Sequence, residues 1–147
     1  KLADIKKEIF AEDVEAIILE EIFRMLDKFK LKYLQVHAGN GPISPNAVVI
    51  MDVDGEEKRL HNFGVGPIDA VFNTIGTISR CKTDLEQFSV NAITGGTDAQ
   101  GEVTVRLRRN SYSAIGRVSD PEILVAAGKA DVNALNRLAK KVEENHA

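Results

Sequence analysis

Residues 47–67, AVVIMDVDGEEKRLHNFGVGP, hold the signals that decide the fold. Val49, Met51 and Val53 are each separated by one residue, and this alternation predicts a strand with one buried face. Asp54-Gly55 follows at once and is a strong signal for a two-residue hairpin turn into another strand. The stretch therefore predicts an antiparallel hairpin.

The flanking residues extend this hairpin into a larger unit. Leu34 and Val36 alternate in the same way, so a strand precedes the hairpin, whose second strand is expected near residues 58–62. Gly64-Val65-Gly66 then leads to Pro67, which can begin a helix at little cost because its missing N–H would be unpaired there. The apolar residues of this helix recur at helical spacing: Val71, Phe72, Ile75 and Ile78.

Residues 101–121, GEVTVRLRRNSYSAIGRVSDP, repeat this order of signals. Val103 lies 54 positions after Val49, and Pro121 lies 54 positions after Pro67. A fixed offset across strand, hairpin and helix start indicates an internal duplication. Each βββα unit would leave one apolar face, and packing the two units together hides both. We therefore expect an α+β fold made of duplicated βββα units with pseudo-two-fold symmetry.

The second unit is predicted to end in a long helix. Ser119 and Glu122 have the spacing of a capping box at its start. Its apolar positions recur at three- and four-residue spacing: Ile123, Ala127, Ala130, Ala134, Leu138 and Val142.

The opening residues have a different pattern, with an amphipathic helix predicted over about residues 12–26. We therefore divide the chain into a helical linker, residues 1–30, and a folded domain, residues 31–147. Repeat one of that domain covers about residues 31–80, and repeat two about residues 85–145. Because the chain begins without methionine and the opening helix is too short to fold alone, we expect it to pack on an upstream domain.

Composition excludes several classes of protein. The chain has 147 residues and a net charge of -3, with no basic stripe for nucleic acid. No apolar run approaches the roughly 20 residues of a membrane helix, and no signal peptide opens the chain. Cys81 is the single cysteine and is interpreted as structural, which favours a reducing compartment. We expect a cytoplasmic protein with no nucleic-acid or membrane partner.

The sequence contains no recognisable catalytic constellation. His37, His61 and His146 are the histidines, and none is near a nucleophile or at metal-ligand spacing. We therefore predict no catalytic residue, metal site or cofactor in this chain.

Two segments, each just before a helix start, favour a small ligand. Gly64 and Gly66 would let the backbone approach a ligand, and the N–H groups of the following helix attract a carboxylate. Asp120 precedes the second helix and could accept a hydrogen bond from an ammonium group. The alternative interpretation is that the glycines only form a tight turn and that Asp120 only stabilises the helix dipole.

Three segments together resemble the regulatory domain of the 2-isopropylmalate synthase family, in the family's order. They are Gly64-Val65-Gly66-Pro67-Ile68-Asp69-Ala70, the strand, loop and strand of residues 90–103, and the closing helix of residues 119–138. The resemblance covers about residues 30–140, and the opening helices resemble the linker subdomain of that family.

This resemblance implies a homodimer that binds leucine between subunits. The amino acid would inhibit an N-terminal catalytic barrel, absent from this chain, that uses a divalent metal to condense acetyl-CoA with 2-oxoisovalerate. Carried over by position, the leucine site would use residues at the first helix start and on the facing strand: Gly64, Gly66, Ile68, Ala70, Leu85, Phe88 and Ala92.

Two alternatives stay open. The same module in a citramalate synthase would bind isoleucine, and moving one methylene in an apolar pocket changes affinity by only a small factor. A dimerisation module without a ligand would show the same apolar helix faces.

Overall fold

The computed structural model describes residues 14–15, 27–93 and 100–146, and in it two three-stranded antiparallel sheets are each followed by a helix. This arrangement confirms the predicted α+β fold of duplicated βββα units. Most of the predicted linker helix and the loop within residues 90–103 lie outside the described residues. The elements, in chain order, are β1 (Phe29–His37), β2 (Asn46–Val53), β3 (Glu56–Phe63), α1 (Pro67–Ser79), β4 (Asp84–Ile93), β5 (Gln100–Arg109), β6 (Tyr112–Asp120) and α2 (Ile123–His146).

Each sheet is a meander with its strands in sequence order, β1-β2-β3 and β4-β5-β6. The predicted turn at Asp54-Gly55 joins β2 to β3, and its φ angles of 53° and 83° are those of a two-residue hairpin. The turn in the second unit follows Arg109, with Asn110 at φ 56°. Asn tolerates this left-handed conformation better than most residues.

The first strand of each unit contains the same irregularity. In β1 the register shifts between Leu31 and Tyr33, and in β4 it shifts between Leu85 and Gln87, again 54 positions later. A bulge inserts one extra residue into the strand, so the alternation of side chains between the two faces of the sheet shifts by one position after it. The duplication therefore extends to a backbone detail that alternation alone did not predict.

The two hairpins differ in length, although the unit offset is constant. Val49 pairs with Leu60, whereas Val103, its equivalent, pairs with Val118. The second hairpin is thus longer, and β6 runs to Asp120, directly before Pro121. In the first unit β3 ends earlier, so a three-residue connection is left before α1.

Because β6 extends to Asp120, the predicted capping box is wrong. Ser119 lies within β6, where it is paired with Glu102, so it is not placed to cap the helix. Instead, Asp120 Oδ1 accepts a hydrogen bond from the Glu122 N–H at 3.0 Å.

Both sheets pack their apolar faces on the helices around one core. Helix α1 covers β2 and β3, while α2 covers β5 and β6 and also packs against β1 and α1. Gly128 of α2 permits the approach to β1, because a Cβ there would lie 2.9 Å from a Leu34 methyl group. Neither α1 nor α2 is long and apolar enough to cross a membrane.

The two helices differ in length, and this breaks the pseudo-symmetry. Helix α2 has 24 residues, whereas α1 has 13 and is followed by Arg80, which has φ 55°. The extra length lets Asn136 bind the backbone of Phe29 in β1 through two 2.8 Å hydrogen bonds. Within the described residues, α1 makes no comparable backbone approach to β4.

Candidate functional site

The space between α1 and β4 is a cavity of about 670 Å³. In the other half of the fold α2 is long enough to contact β1. A longer α1 would contact β4 in the same way, and the cavity occupies the space that this extension would fill. Its walls combine apolar side chains with exposed groups of both charge signs. The lining residues are Asp69, Phe72, Asn73, Gly76, Thr77, Arg80, Cys81, Lys82, Thr83, Leu85, Leu107, Asp131 and Leu135. We call this space the α1–β4 cavity.

Two of the predicted ligand residues on β4 lie at or beside this cavity. Leu85 lines it and is 47% exposed. Phe88 contacts the lining residue Phe72 edge to face, with ring centroids 5.8 Å apart. The third, Ala92, lies seven residues beyond Leu85, which is roughly 23 Å along a strand. A ligand the size of an amino acid that touches Leu85 therefore does not reach Ala92 of the same protomer.

The predicted residues before α1 form a tightly packed turn. A Cβ on Gly64 would lie 2.3 Å from the backbone nitrogen of Ala70, which is itself fully buried. Gly66 is the residue before the helix, has an extended backbone with φ -134°, and faces open space. Ile68 is half-buried against the core. Gly64 and Ala70 thus contact each other, while Gly66 remains accessible to a ligand.

Asp69 already uses one of the N–H groups at this helix start. Its Oδ2 accepts hydrogen bonds from the Val65 N–H at 2.8 Å and from Asn73 Nδ2 at 3.4 Å. Helix N-termini favour negative charge, so this carboxylate occupies a position that a ligand carboxylate could otherwise take. The cationic side chains that line the cavity are Arg80 and Lys82, and both are exposed.

Asp120 is engaged at the start of α2 and does not line the α1–β4 cavity. Besides the bond from Glu122, its Oδ2 accepts a hydrogen bond from Lys129 Nζ at 3.2 Å. The Glu122 N–H and then Lys129 hold the pKa of Asp120 below its ordinary value. These contacts account for Asp120 as a helix-start residue.

Asp131 lines the cavity and was not singled out from the sequence. Its side chain comes from the core-facing side of α2, and the residue is only 5% exposed. Burial raises the pKa of this carboxyl to about 7. The available signal was an aspartate four residues after Ala127 and four before Leu135, within the apolar stripe of the helix.

A second cavity of about 570 Å³ lies beside the connection between β1 and β2. His37 and His61 both line it, and His61 Nε2 is 2.9 Å from Asn46 Oδ1. The His61 ring also contacts Phe63, with centroids 5.2 Å apart. In the part of the chain that the structure describes, no three His, Cys, Asp or Glu residues are grouped so that they could hold a metal.

Comparison with known proteins agrees with this architecture. Residues 8–139 match the family model described as the LeuA allosteric (dimerisation) domain. The 2-isopropylmalate synthase of Nitratidesulfovibrio vulgaris is 60% identical over 144 residues, and that of Syntrophus aciditrophicus is 51% identical over 138 residues. These alignments cover 98% and 94% of the chain but only 28% and 27% of the relatives, so the chain spans just over a quarter of their length. The chain belongs to the LeuA allosteric (dimerisation) domain family.

Proposed function

We propose that this domain binds leucine in the α1–β4 cavity and thereby regulates a catalytic domain elsewhere in the full-length protein. That catalytic domain would condense acetyl-CoA with 2-oxoisovalerate, the first committed step of leucine synthesis. Family membership and the relatives named 2-isopropylmalate synthase support this assignment. The effector would then be the end product of the pathway that the enzyme begins.

The chemistry of the cavity supports leucine as its ligand. Phe72, Leu85, Leu107 and Leu135 offer an apolar surface to a branched side chain, and Arg80 and Lys82 lie where they can attract a carboxylate. Its volume of about 670 Å³ is within the range of roughly 300–1,000 Å³ that is usual for small-molecule sites.

The missing helix–strand contact suggests how binding is transmitted. A ligand in the cavity would join α1 to β4, as α2 joins β1 in the other half of the fold. Binding that favours one arrangement of the two units over another produces a coupling free energy, typically ~1–3 kcal/mol, with a distant site.

We also propose that the domain forms a homodimer through an apolar patch on the second unit. Val90 on β4 and Ile123 at the start of α2 are 39% and 43% exposed. Gly101 lies between them, since a Cβ there would be 3.0 Å from Ile123 and 3.8 Å from Val90. An exposed apolar patch in a family described as a dimerisation domain supports a second copy of the chain as its partner.

A thermal unfolding experiment on the 147-residue chain tests leucine binding in this cavity. Leucine at millimolar concentration should raise the Tm, because a ligand that binds only the folded state stabilises it. Leu85→Lys should leave the Tm without leucine nearly unchanged, since Leu85 is 47% exposed, but should remove the increase caused by leucine. The matched control is Ile43→Lys, which introduces the same charge at a 69% exposed position outside the cavity. Equal leucine responses in the two variants would contradict the location.

A further inference from the structure

The α1–β4 cavity contains a buried ionisable group that folding alone does not explain. Asp131 is 5% exposed, and within the described residues no hydrogen bond or ion pair reaches its carboxyl group. Burying a carboxylate without a partner is costly, and buried charges in proteins are normally paired. The neighbouring positions on the same face of α2, Ala127 and Leu135, are apolar, so an apolar residue would suit this stripe.

The charges around the cavity are arranged asymmetrically. Asp131 is buried, whereas Arg80 and Lys82 are exposed at the rim. Asp69 is the other carboxylate that lines the cavity, but it is exposed and one of its oxygens already accepts two hydrogen bonds. A molecule with a positive end and a negative end would therefore enter with its positive end towards Asp131.

We propose that the Asp131 carboxylate binds the ammonium group of the ligand in the α1–β4 cavity. The ligand class is then a primary amine with a short branched apolar chain, and an α-amino acid fits with its carboxylate towards Arg80 and Lys82. The identification of that amino acid as leucine rests on the proposed function, whereas the pairing of an ammonium group with Asp131 does not. The pair is a charge-assisted hydrogen bond in a site of low dielectric, so its loss should weaken binding strongly.

Three probes separate the contribution of the ammonium group to binding from that of the carboxylate. Leucine has both charges, 3-methylbutylamine lacks the carboxylate, and 4-methylpentanoate lacks the ammonium group. Each is titrated calorimetrically into the wild-type chain, Asp131→Asn and the control Glu56→Gln, which removes a carboxylate from an exposed position near the β2–β3 turn. Asp131→Asn should weaken leucine and 3-methylbutylamine at least tenfold and leave 4-methylpentanoate unchanged, and Glu56→Gln should change none of them.

A pH series gives a second, independent test. Burial raises the pKa of Asp131 to about 7, and an ammonium ligand binds the ionised form. The affinity for 3-methylbutylamine should therefore rise roughly tenfold between pH 6 and pH 8 and level off above that, while the alkylamine stays protonated. The other titratable groups that face this space are Asp69 and Arg80 at the two ends of α1, with Cys81 and Lys82 in the following connection. Asp131→Asn should abolish the dependence.

Three outcomes distinguish the role of Asp131 from leucine sensing. Leucine binding that is equal in the wild type and Asp131→Asn would overturn the role of Asp131 and leave leucine sensing intact. Binding of 3-methylbutylamine that depends on Asp131, without binding of leucine, would support the ammonium site and overturn leucine as the effector. Failure of both amines to bind the wild-type chain would overturn both.

Discussion

The two glycines before α1 illustrate how similar residues can have different roles. Gly64 lies against the backbone of α1, with no room for a Cβ beside Ala70, whereas a Cβ on Gly66 would meet nothing within 4 Å. Both were predicted as ligand residues from the same motif. The structure adds a packing role for Gly64 and leaves Gly66 accessible.

We predict that Gly64→Ala destabilises the fold by ~2–4 kcal/mol, because the turn must move away from the helix to admit a methyl group. Gly66→Ala should change the free energy of unfolding by less than about 1 kcal/mol, because its extended φ suits any residue. Urea unfolding of both variants measures the difference. Equal destabilisation would show that the close contact of Gly64 with Ala70 is not what requires a glycine there.

Asp131 should make stability depend on pH in a specific window. Its pKa is raised from 3.8 to about 7 in the folded state, so from about pH 4 to pH 7 the unfolded chain releases a proton that the folded chain keeps. The free energy of unfolding therefore falls as pH rises through this window, by an amount on the order of a few kcal/mol. Asp131→Asn removes this pH-dependent contribution, so the stability of the variant relative to wild type should rise from pH 4 to pH 7.

The control for this measurement has the opposite sign. The pKa of Asp120 is lowered by the Glu122 N–H and Lys129, so its contribution is present above the ordinary pKa and is lost as pH falls. Asp120→Asn should therefore lose stability relative to wild type at pH 7 and approach it at acidic pH. Chemical denaturation at a series of pH values tests both variants. The same trend in both would contradict the account of Asp131.

The length of α2 explains how the two units are joined. The helix extends to Asn136, whose side chain donates to the carbonyl of Phe29 and accepts from its N–H. Both groups are buried, so the amide substitutes for a neighbouring strand at this end of β1. The residue 54 positions earlier is Lys82, which lies beyond the end of α1. This difference in helix length leaves the α1–β4 cavity.

We predict that Asn136→Ala destabilises the fold by ~2–4 kcal/mol, because a buried N–H and a buried carbonyl lose their partners. Asn133→Ala is the matched control on the exposed side of the same helix and should change stability by less than about 0.5 kcal/mol. Amide hydrogen exchange should also show faster exchange at Phe29 in the first variant. Unchanged protection at Phe29 would mean that the Asn136 amide does not hold β1.

Most elements could be predicted from the sequence because their signals are local. Alternation identified the strands, Asp54-Gly55 identified the first hairpin, and the offset of 54 identified the duplication. The longer second hairpin could not be predicted. It has more strand residues but a shorter connection to its helix, and these two differences cancel, so the offset of 54 between the units is unchanged. The false capping box at Ser119 followed from that cancellation.

The cavity could be predicted only in part. A ligand near Gly64 and Gly66 followed from the glycines and the helix start, whereas the residues on β4 followed from the family resemblance. Of these, Leu85 does line the cavity. Asp131 contributes from α2, which is distant in sequence and joins the site only through tertiary packing. A single acidic residue in an apolar stripe indicates burial but does not say which elements face it.

Association of two copies should depend on the patch of Val90, Gly101 and Ile123. Val90→Lys should weaken the dimer by placing a charge in an apolar interface, with little effect on the fold because Val90 is 39% exposed. Ile43→Lys serves again as the control for an added exposed charge. Light scattering over a concentration series gives the dissociation constant. A dimer that is unaffected by Val90→Lys would place the interface on another surface.

Calorimetric titration of the wild-type chain with leucine and, in parallel, isoleucine tests whether the domain is a leucine sensor. We expect saturable binding of leucine, with weaker binding of isoleucine. Preferential binding of isoleucine would instead indicate the sensor of a citramalate synthase, and no heat from either amino acid would contradict effector binding and leave a dimerisation module.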